Sequence, residues 1–356
     1  MKKKSLVSVA MAVYNGEKYI KDQIKSILGQ TYKNIELIII DDNSKDRSLE
    51  IISDFAKADN RIKVFRNTHN IGVVSNFLKG LSHANGDLIC FSDQDDYWLP
   101  EKIELLKNMI DKDSSNMLAY SDLEICGDNL STMHKSFWKA SGIRPRKGYV
   151  GEAAFLRNIM PGCSVMFRKD IKKILEDIPK PIPCMHDHLV FIVSALSGDI
   201  VYSKERLVKY RQHPGNNIGA FYNSTVSNES IINKLEQCIN YFECNFEKFR
   251  PSNFKRLKTF CGSLRSGGIF LRLSCLKYYL FLKKDTLYDK SLGFLECVFP
   301  GAYKWLRSKY LKNKMNDTSL LITRLMRAVF FMWTAIVFYF FVAEFVMQKI
   351  SMIVRR

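Results

Sequence analysis

The 356-residue chain lacks the short signatures that most often disclose a nucleotide site. No Gly-x-Gly-x-x-Gly follows its first apolar run, and no Gly-Lys-Ser/Thr closes a glycine-rich loop. A dinucleotide fold and a P-loop are therefore unsupported. Nine cysteines are scattered without one Cys-x-x-Cys pair, and Met-Lys-Lys-Lys runs straight into a strand-like pattern rather than a secretory signal. That combination predicts reduced, mostly buried thiols in a cytosolic setting. Internal repeats and low-complexity tracts are absent. Acidic residues are scarce in the last 141 positions, which hold 9 Asp+Glu against 22 Lys+Arg, a surplus of +13 out of the total +18. Residues 1–215 carry only +5, as an ordinary globular domain would.

Apolar material is plentiful, at 47% of residues with 12% aromatic, which excludes global disorder. The length points to two domains, or one with appendages. The basic tail suggests an anionic partner, either nucleic acid or a membrane face. Its interleaved Tyr, Phe and Leu favour the membrane, and no nucleic-acid motif accompanies the charge.

In the first half, short continuous apolar runs alternate with helical stripes. Strands are expected at Ser5–Val13, Ile35–Ile40, Ile62–Phe65, Leu88–Phe91 and Leu118–Leu123. Between them, 17–28, 46–58, 73–84 and 99–110 repeat their apolar residues at helical spacing. Alternating β and α with unbroken apolar strands predicts an α/β fold, a mostly parallel sheet with helices on both faces. Residues 127–151 read as a polar loop, in the role of a lid. A strand follows Met160-Pro161-Gly162-Cys163, then the helix Leu189–Leu196, then separate strands at Ile200–Ser203 and Leu207–Tyr210.

The organising stretch is Ser92-Asp93-Gln94-Asp95-Asp96-Tyr97-Trp98-Leu99-Pro100. Three carboxylates within four positions close a buried strand, where an open α/β sheet has its ligand crevice. In an extended chain Asp93 and Asp95 face the same way. Two carboxylates held together call for a cation, and hard oxygen ligands favour Mg²⁺ or Mn²⁺. The plainer alternative is an acidic loop capping the next helix. His186-Asp187-His188 opens a later helix, where Asp187 has an N-cap as its bland reading and the two histidines a satisfied pair.

Together these pieces resemble the family 2 glycosyltransferases of GT-A fold, and most closely the branch of rhamnosyltransferases acting on bacterial cell-surface polysaccharides. The residues that carry the resemblance run through the first 220 positions. They are Met11-Ala12-Val13-Tyr14-Asn15-Gly16-Glu17, Gln30-Thr31-Tyr32, Ile40-Asp41-Asp42-Asn43-Ser44, Asn70-Ile71-Gly72, the acidic stretch above, Met160-Pro161-Gly162-Cys163, His186-Asp187 and Tyr210-Arg211-Gln212-His213. The resemblance implies an inverting, metal-dependent transfer from a nucleotide-sugar, dTDP-rhamnose first and a UDP-hexose second, to a polysaccharide or lipid-linked saccharide. By the same token Ala12, Tyr14, Glu17, Asp41, Asp42, Asn70, Asp93 and Arg211 would bind the donor. Asp93, Asp95 and His213 would hold the metal, and Asp187 would be the general base. A non-catalytic polysaccharide-assembly protein of the same fold is the rival.

The expected organisation is a GT-A domain over 1–220, a basic helical region over 221–318 and an apolar helix over 319–356. Within the last, the 16 residues Ala328–Ala343 carry no charge. At about 1.5 Å per residue they reach roughly 24 Å, short of a hydrocarbon core of about 30 Å. A helix set in or on the cytoplasmic leaflet is the expectation, with a buried core helix as the alternative.

Overall fold

A computed structural model describes residues 5–176, 178–216 and 228–245, together with 255, 257, 258 and 261. All lie in one compact unit, Met1–Arg265. The apolar run Ala328–Ala343 and most of the basic tail fall outside the described residues.

The chain opens with β1 (Val7–Val13), α1 (Ile20–Leu28), β2 (Ile35–Asp41), α2 (Ser48–Ala58), β3 (Ile62–Arg66), α3 (Val73–Ser82) and β4 (Leu88–Ser92). Strands β1, β2 and β4 are buried almost throughout. That matches their largely apolar content, because a parallel strand covered on both faces has no solvent side, and the polar exceptions such as Glu36 are bonded, here to Ser8 Oγ and Lys63 Nζ. On α1 the stripe Ile20, Ile24 and Ile27 is buried.

There follow β5 (Tyr97–Trp98), α4 (Lys102–Asp111), β6 (Asn116–Cys126), β7 (Thr132–His134), α5 (Phe137–Ser141), two 3-10 turns (Gly151–Phe155 and Gly162–Ser164), β8 (Val165–Arg168), α6 (Lys169–Glu176), α7 (His186–Ser197), β9 (Asp199–Arg211) and α8 (Asn228–Asn245). The strand order is β3-β2-β1-β4-β8-β6-β9-β5, with β7 added to β6. The expected α/β class with its parallel sheet is present. Its first four strands are all parallel, β8 runs antiparallel between β4 and β6, and β9 returns parallel to β6.

Two local expectations differ from the structure, and one helix is not anticipated by the sequence pattern. Residues 199–211 form one strand, because the charged Ser203–Arg206 segment is absorbed by register shifts against β6 rather than by a turn. The segment 127–151 contains β7 and α5. Ser136 caps α5 by accepting from Lys139 N, and the helix stops at Gly142 in the left-handed region. The helix α6 was hidden by its charge, yet Ile171 and Leu175, four apart, supply its buried face.

Helix α8 packs on the body of the unit. Phe242 is fully buried and meets the Phe155 ring edge-on at 5.0 Å, and the Tyr241 hydroxyl donates to the Pro179 carbonyl.

Candidate active site

The carboxyl ends of β1, β2 and β4 lie side by side, and the loops that leave them are bonded to one another. Asn15 and Asn43 take positive φ (49° and 61°) at the two strand exits, a region Asn tolerates better than most residues. Asn15 N donates to Ser44 Oγ (3.0 Å), Gly16 N to Ser48 Oγ (2.7 Å) and Glu17 N to Asp46 Oδ2 (3.0 Å). In return Glu17 Oε2 accepts from Arg47 N at 2.9 Å. The expected donor-binding residues thus divide into exposed and internal groups. Tyr14 is 46% exposed, Glu17 and Asn70 are also exposed, and Ala12 is half-buried on β1. Asp41 is fully buried, accepts weakly from Ser44 N and pairs with Arg66 at 3.4 Å. Asp42 is buried as well. Its two oxygens accept from Asn67 Nδ2 (2.7 Å), Ile71 N (2.9 Å) and Gly72 N (3.0 Å). It fixes the 67–72 turn, where Gly72 needs φ +83°.

The acidic loop is held from below by α1. The Gln23 amide, turned so that its nitrogen meets Asp96 O (2.6 Å), accepts from Trp98 Nε1 (3.1 Å). Gln30 donates to Leu99 O (2.8 Å) and accepts from Ile103 N (3.0 Å). Because β4 ends at Ser92, the next residues leave the extended geometry and their carboxylates part company. One oxygen each of Asp93 and Asp96 gathers with the Cys163 sulfur within 4.8 Å. Asp95 turns instead to His213, whose Nε2 lies 2.9 Å from Oδ2, with Asn216 Nδ2 at 3.3 Å.

The end of β9 is anchored on the same loop. Arg211 N donates to Asp96 Oδ1 (3.1 Å) and its Nε to Asp95 O (2.7 Å), while Nη1 donates to Asp128 O. The guanidinium lies 4.7 Å from the Tyr19 ring centroid, and that ring is 4.5 Å from His213. Arg211 is only 4% exposed, so its side chain braces the loop from within.

The first turn of α7 borders the same site through the Gly162–Ser164 turn that carries Cys163. Asp187 Oδ1 accepts from His188 N at 2.7 Å, and His188 Nε2 contacts Ala154 O at 2.8 Å. His186 is buried, its ring stacked on Phe77 at 3.8 Å with neither nitrogen bonded. Burial draws its pKa down to about 3, so it is neutral. Gly162 touches this turn closely, since a Cβ there would sit 3.0 Å from His186 Nε2 and 3.4 Å from Asp187 Cβ.

Electrostatically the site is starved of positive charge. Burial, then the charges of Asp96, Asp95 and Asp187, hold Asp93 well above the usual carboxylate range. Burial and Asp95 push Asp96 up to about 7. Burial raises Asp187 to about 6 against the hydrogen bonds it receives. Besides Arg211, Lys102 lies behind the loop, fully buried with an unbonded Nζ 2.9 Å from the Trp98 ring centroid, and burial lowers its pKa to about 8.

Such a cluster fits a divalent ion. Ligands about 2.1 Å from an octahedral ion, on adjacent positions, stand about 3 Å apart, the separation of Asp95 Oδ2 and His213 Nε2. Cys163 suits a hard ion poorly, because burial keeps its thiol protonated. Sequence reasoning gave no role to Gln94, Tyr19 or Lys102. An inward lysine leaves no trace in hydrophobic periodicity, and Tyr19 reads as one more residue of an apolar stripe.

Comparison with known proteins supplies the family. The Glycosyl transferase family 2 model matches residues 8–175. A glycosyltransferase of Haemophilus influenzae is 30% identical over 241 residues, covering 67% of this chain and 74% of its own length. The chain belongs to the family 2 glycosyltransferases. The dTDP-rhamnosyl transferase RfbG of Shigella flexneri is 30% identical over 232 residues, 59% of this transferase and 74% of RfbG. Residues 1–349 of S. aureus TarS, solved with UDP-GlcNAc, superpose with a TM-score of 0.54 at 16% identity, covering 87% of this chain and 93% of TarS 1–349. That likeness places the transferase in the GT-A fold.

Proposed function

We propose that this glycosyltransferase moves a sugar, with inversion, from a nucleotide-sugar to a hydroxyl of a polysaccharide or lipid-linked saccharide. The observation that carries the reading is two acidic groupings on different elements of one site. A carboxylate-rich loop follows β4, with His213 from just beyond the end of β9 bonded to its Asp95, and one half-buried carboxyl raised to about 6 opens α7, its charge felt at Asp93.

Asp95 and His213, with Asp93 beside them, would hold Mg²⁺ or Mn²⁺. When bound, the ion supplies charge to neutralise a nucleotide diphosphate as it departs. Tyr14 and the bonded rim around it offer an exposed surface for the nucleoside, with Glu17 close by in the chain and Asn70 exposed on the turn that Asp42 holds. Asp41, Asp42 and Arg211 act behind that surface by fixing the loops. Asp187 accepts the proton of the acceptor hydroxyl while its oxygen attacks the anomeric carbon. The carbon–oxygen bond to the diphosphate breaks on the opposite face, which inverts the centre.

dTDP-rhamnose is the favoured donor, supported by the identity to RfbG. A UDP-hexose is the second reading, supported by the UDP-GlcNAc bound to TarS. The division into 1–220, 221–318 and 319–356 is retained as one of sequence character, since α8 of the second part packs within the compact unit Met1–Arg265, with the tail proposed to lie on the cytoplasmic face of the membrane. Among the described residues no helix is long and apolar enough to cross one.

The test is transfer and slow hydrolysis of radiolabelled dTDP-rhamnose and UDP-glucose with Mn²⁺, with competition by dTDP and UDP. Preference for dTDP supports the rhamnose donor, and an order-of-magnitude preference for UDP moves the assignment to the hexose. Nucleotide binding with no turnover of any donor would leave the non-catalytic assembly protein as the better reading.

A further inference from the structure

The side chain between the two acidic ligand candidates performs a backbone's work. Gln94 Oε1 accepts from Tyr14 N at 2.9 Å, and Gln94 Nε2 donates to Tyr14 O at 3.1 Å. Those are the two bonds that a residue exchanges with its partner in an antiparallel ladder. They begin where the real ladder stops. The pairing of β1 with β4 ends at Met11 and Ser92, because β4 must turn away for Asp93, Asp95 and Asp96 to diverge. On its other side β1 remains tied to β2, through the Val13–Asp41 pair and Asp42 N donating to Val13 O at 2.7 Å. Without Gln94, Tyr14 would have a bonded neighbour on that side alone. Position 16 is shaped to admit the amide, for a Cβ on Gly16 would lie 2.4 Å from Gln94 Oε1.

We infer that Gln94 is a positioning residue that locks Tyr14 in place for the donor's nucleoside and ties that contact to the metal-binding loop. The inference rests on the nucleotide-sugar reading above. It gives the acidic loop a second task. Asp95, with His213, is the proposed ligand of the cation, while its neighbour Gln94 sets the platform for the other end of the same donor. A rigid aromatic face contributes to binding only if its backbone is fixed before the ligand arrives.

The experiment uses the full chain and titrates UDP and dTDP, in Mn²⁺, by calorimetry. Gln94→Met keeps length and adds no charge while removing both bonds. It is expected to weaken nucleotide binding about tenfold, the loss of two partly exposed hydrogen bonds. Binding of Mn²⁺ alone, followed by electron paramagnetic resonance, and the ligand-free melting temperature are expected to stay at the parent's values. In a Tyr14→Ala background the same change is expected to cost less than about twofold, because coupled residues are non-additive. Gly16→Ala, which displaces the amide while leaving residue 94 intact, is expected to reproduce the nucleotide defect.

Parent-like nucleotide affinity in Gln94→Met overturns the inference, as does a tenfold loss that persists without the Tyr14 ring. An equal loss of Mn²⁺ affinity also overturns it, by making Gln94 a support for the metal rather than for Tyr14. A parent that binds neither nucleotide overturns the glycosyltransfer reading and this inference together.

Discussion

As the proposed general base, Asp187 meets two opposing demands. A general base must be ionised at working pH yet basic enough to take a hydroxyl proton. Burial raises the carboxyl to about 6, and the hydrogen bonds it receives, with that of His188 N first among them, keep it from rising further. The sign follows directly, since only the deprotonated form accepts a proton. Turnover is expected to fall as pH drops through about 6, and Asp187→Asn should remove that acid limb from the profile. Asparagine preserves shape and acceptor geometry but takes no proton, so kcat is expected to drop about 10²–10⁴-fold with donor binding retained. An equal loss of donor affinity would make Asp187 a binding residue instead. At Asp95 the expectation is different. Asp95→Ala strands His213 Nε2 and leaves Asn216 Nδ2 with Arg211 O alone, but relieves Asp93 of a like charge. The two effects oppose each other, so the melting temperature should change little. Mn²⁺ affinity should fall beyond the ~100-fold typical of lost outer-shell partners, as isothermal titration would register. Both residues were legible because they sit in motifs. Gln94 and Lys102 were not, since their roles depend on where β4 stops and on which way α4 is turned, and neither is written in residue type.

At the scale of elements, the parallel half was legible because its rule is simple. Strands buried on both faces must be mostly apolar, and β1, β2 and β4 are, with Ser8, Glu36, Asp41 and Ser92 as their buried polar exceptions. The second half obeys a mixed rule. In β9 half-buried and exposed residues interrupt the apolar ones, so the polar middle looked like a turn until its pairing with β6 was seen. The contacts of α8 were invisible for another reason, since they are made with segments far away in sequence. Phe242 meets Phe155 in the 3-10 turn that also carries Ala154, the partner of His188. The helix therefore supports the first turn of α7 from behind, through one intervening turn. Phe242→Ala should cost about 3–5 kcal/mol, the usual range for a buried Phe, seen as a lower urea midpoint with unchanged slope. A shift below about 1 kcal/mol would mean that α8 contributes little to the unit.

At the scale of the whole molecule, charge and apolar sequence are segregated along the chain. The +13 surplus after residue 215 accompanies Ala328–Ala343, with Arg324 and Arg327 before that run and Lys349, Arg355 and Arg356 after it. Basic residues on both flanks set no orientation by the positive-inside rule. They do suit a helix lying at an anionic surface, where each Lys or Arg contributes about 1 kcal/mol. Such binding weakens with salt, because the Debye length is about 10 Å at 0.1 M. The place to divide the protein follows from α8. A cut at residue 220 would strip Leu235, Ile239 and Phe242 from buried positions, whereas a cut after Arg265 respects the compact unit. The 1–265 fragment is expected to melt cooperatively and to bind nucleotide with Mn²⁺ as the full chain does. The full chain should float with phosphatidylglycerol vesicles at low salt and detach progressively as salt rises, and the fragment should stay behind at every salt concentration. Flotation of the fragment would place the membrane contact within the catalytic unit. A full chain that ignores the vesicles at low salt, and stays dissolved without detergent, would make Ala328–Ala343 a core helix packed inside the protein.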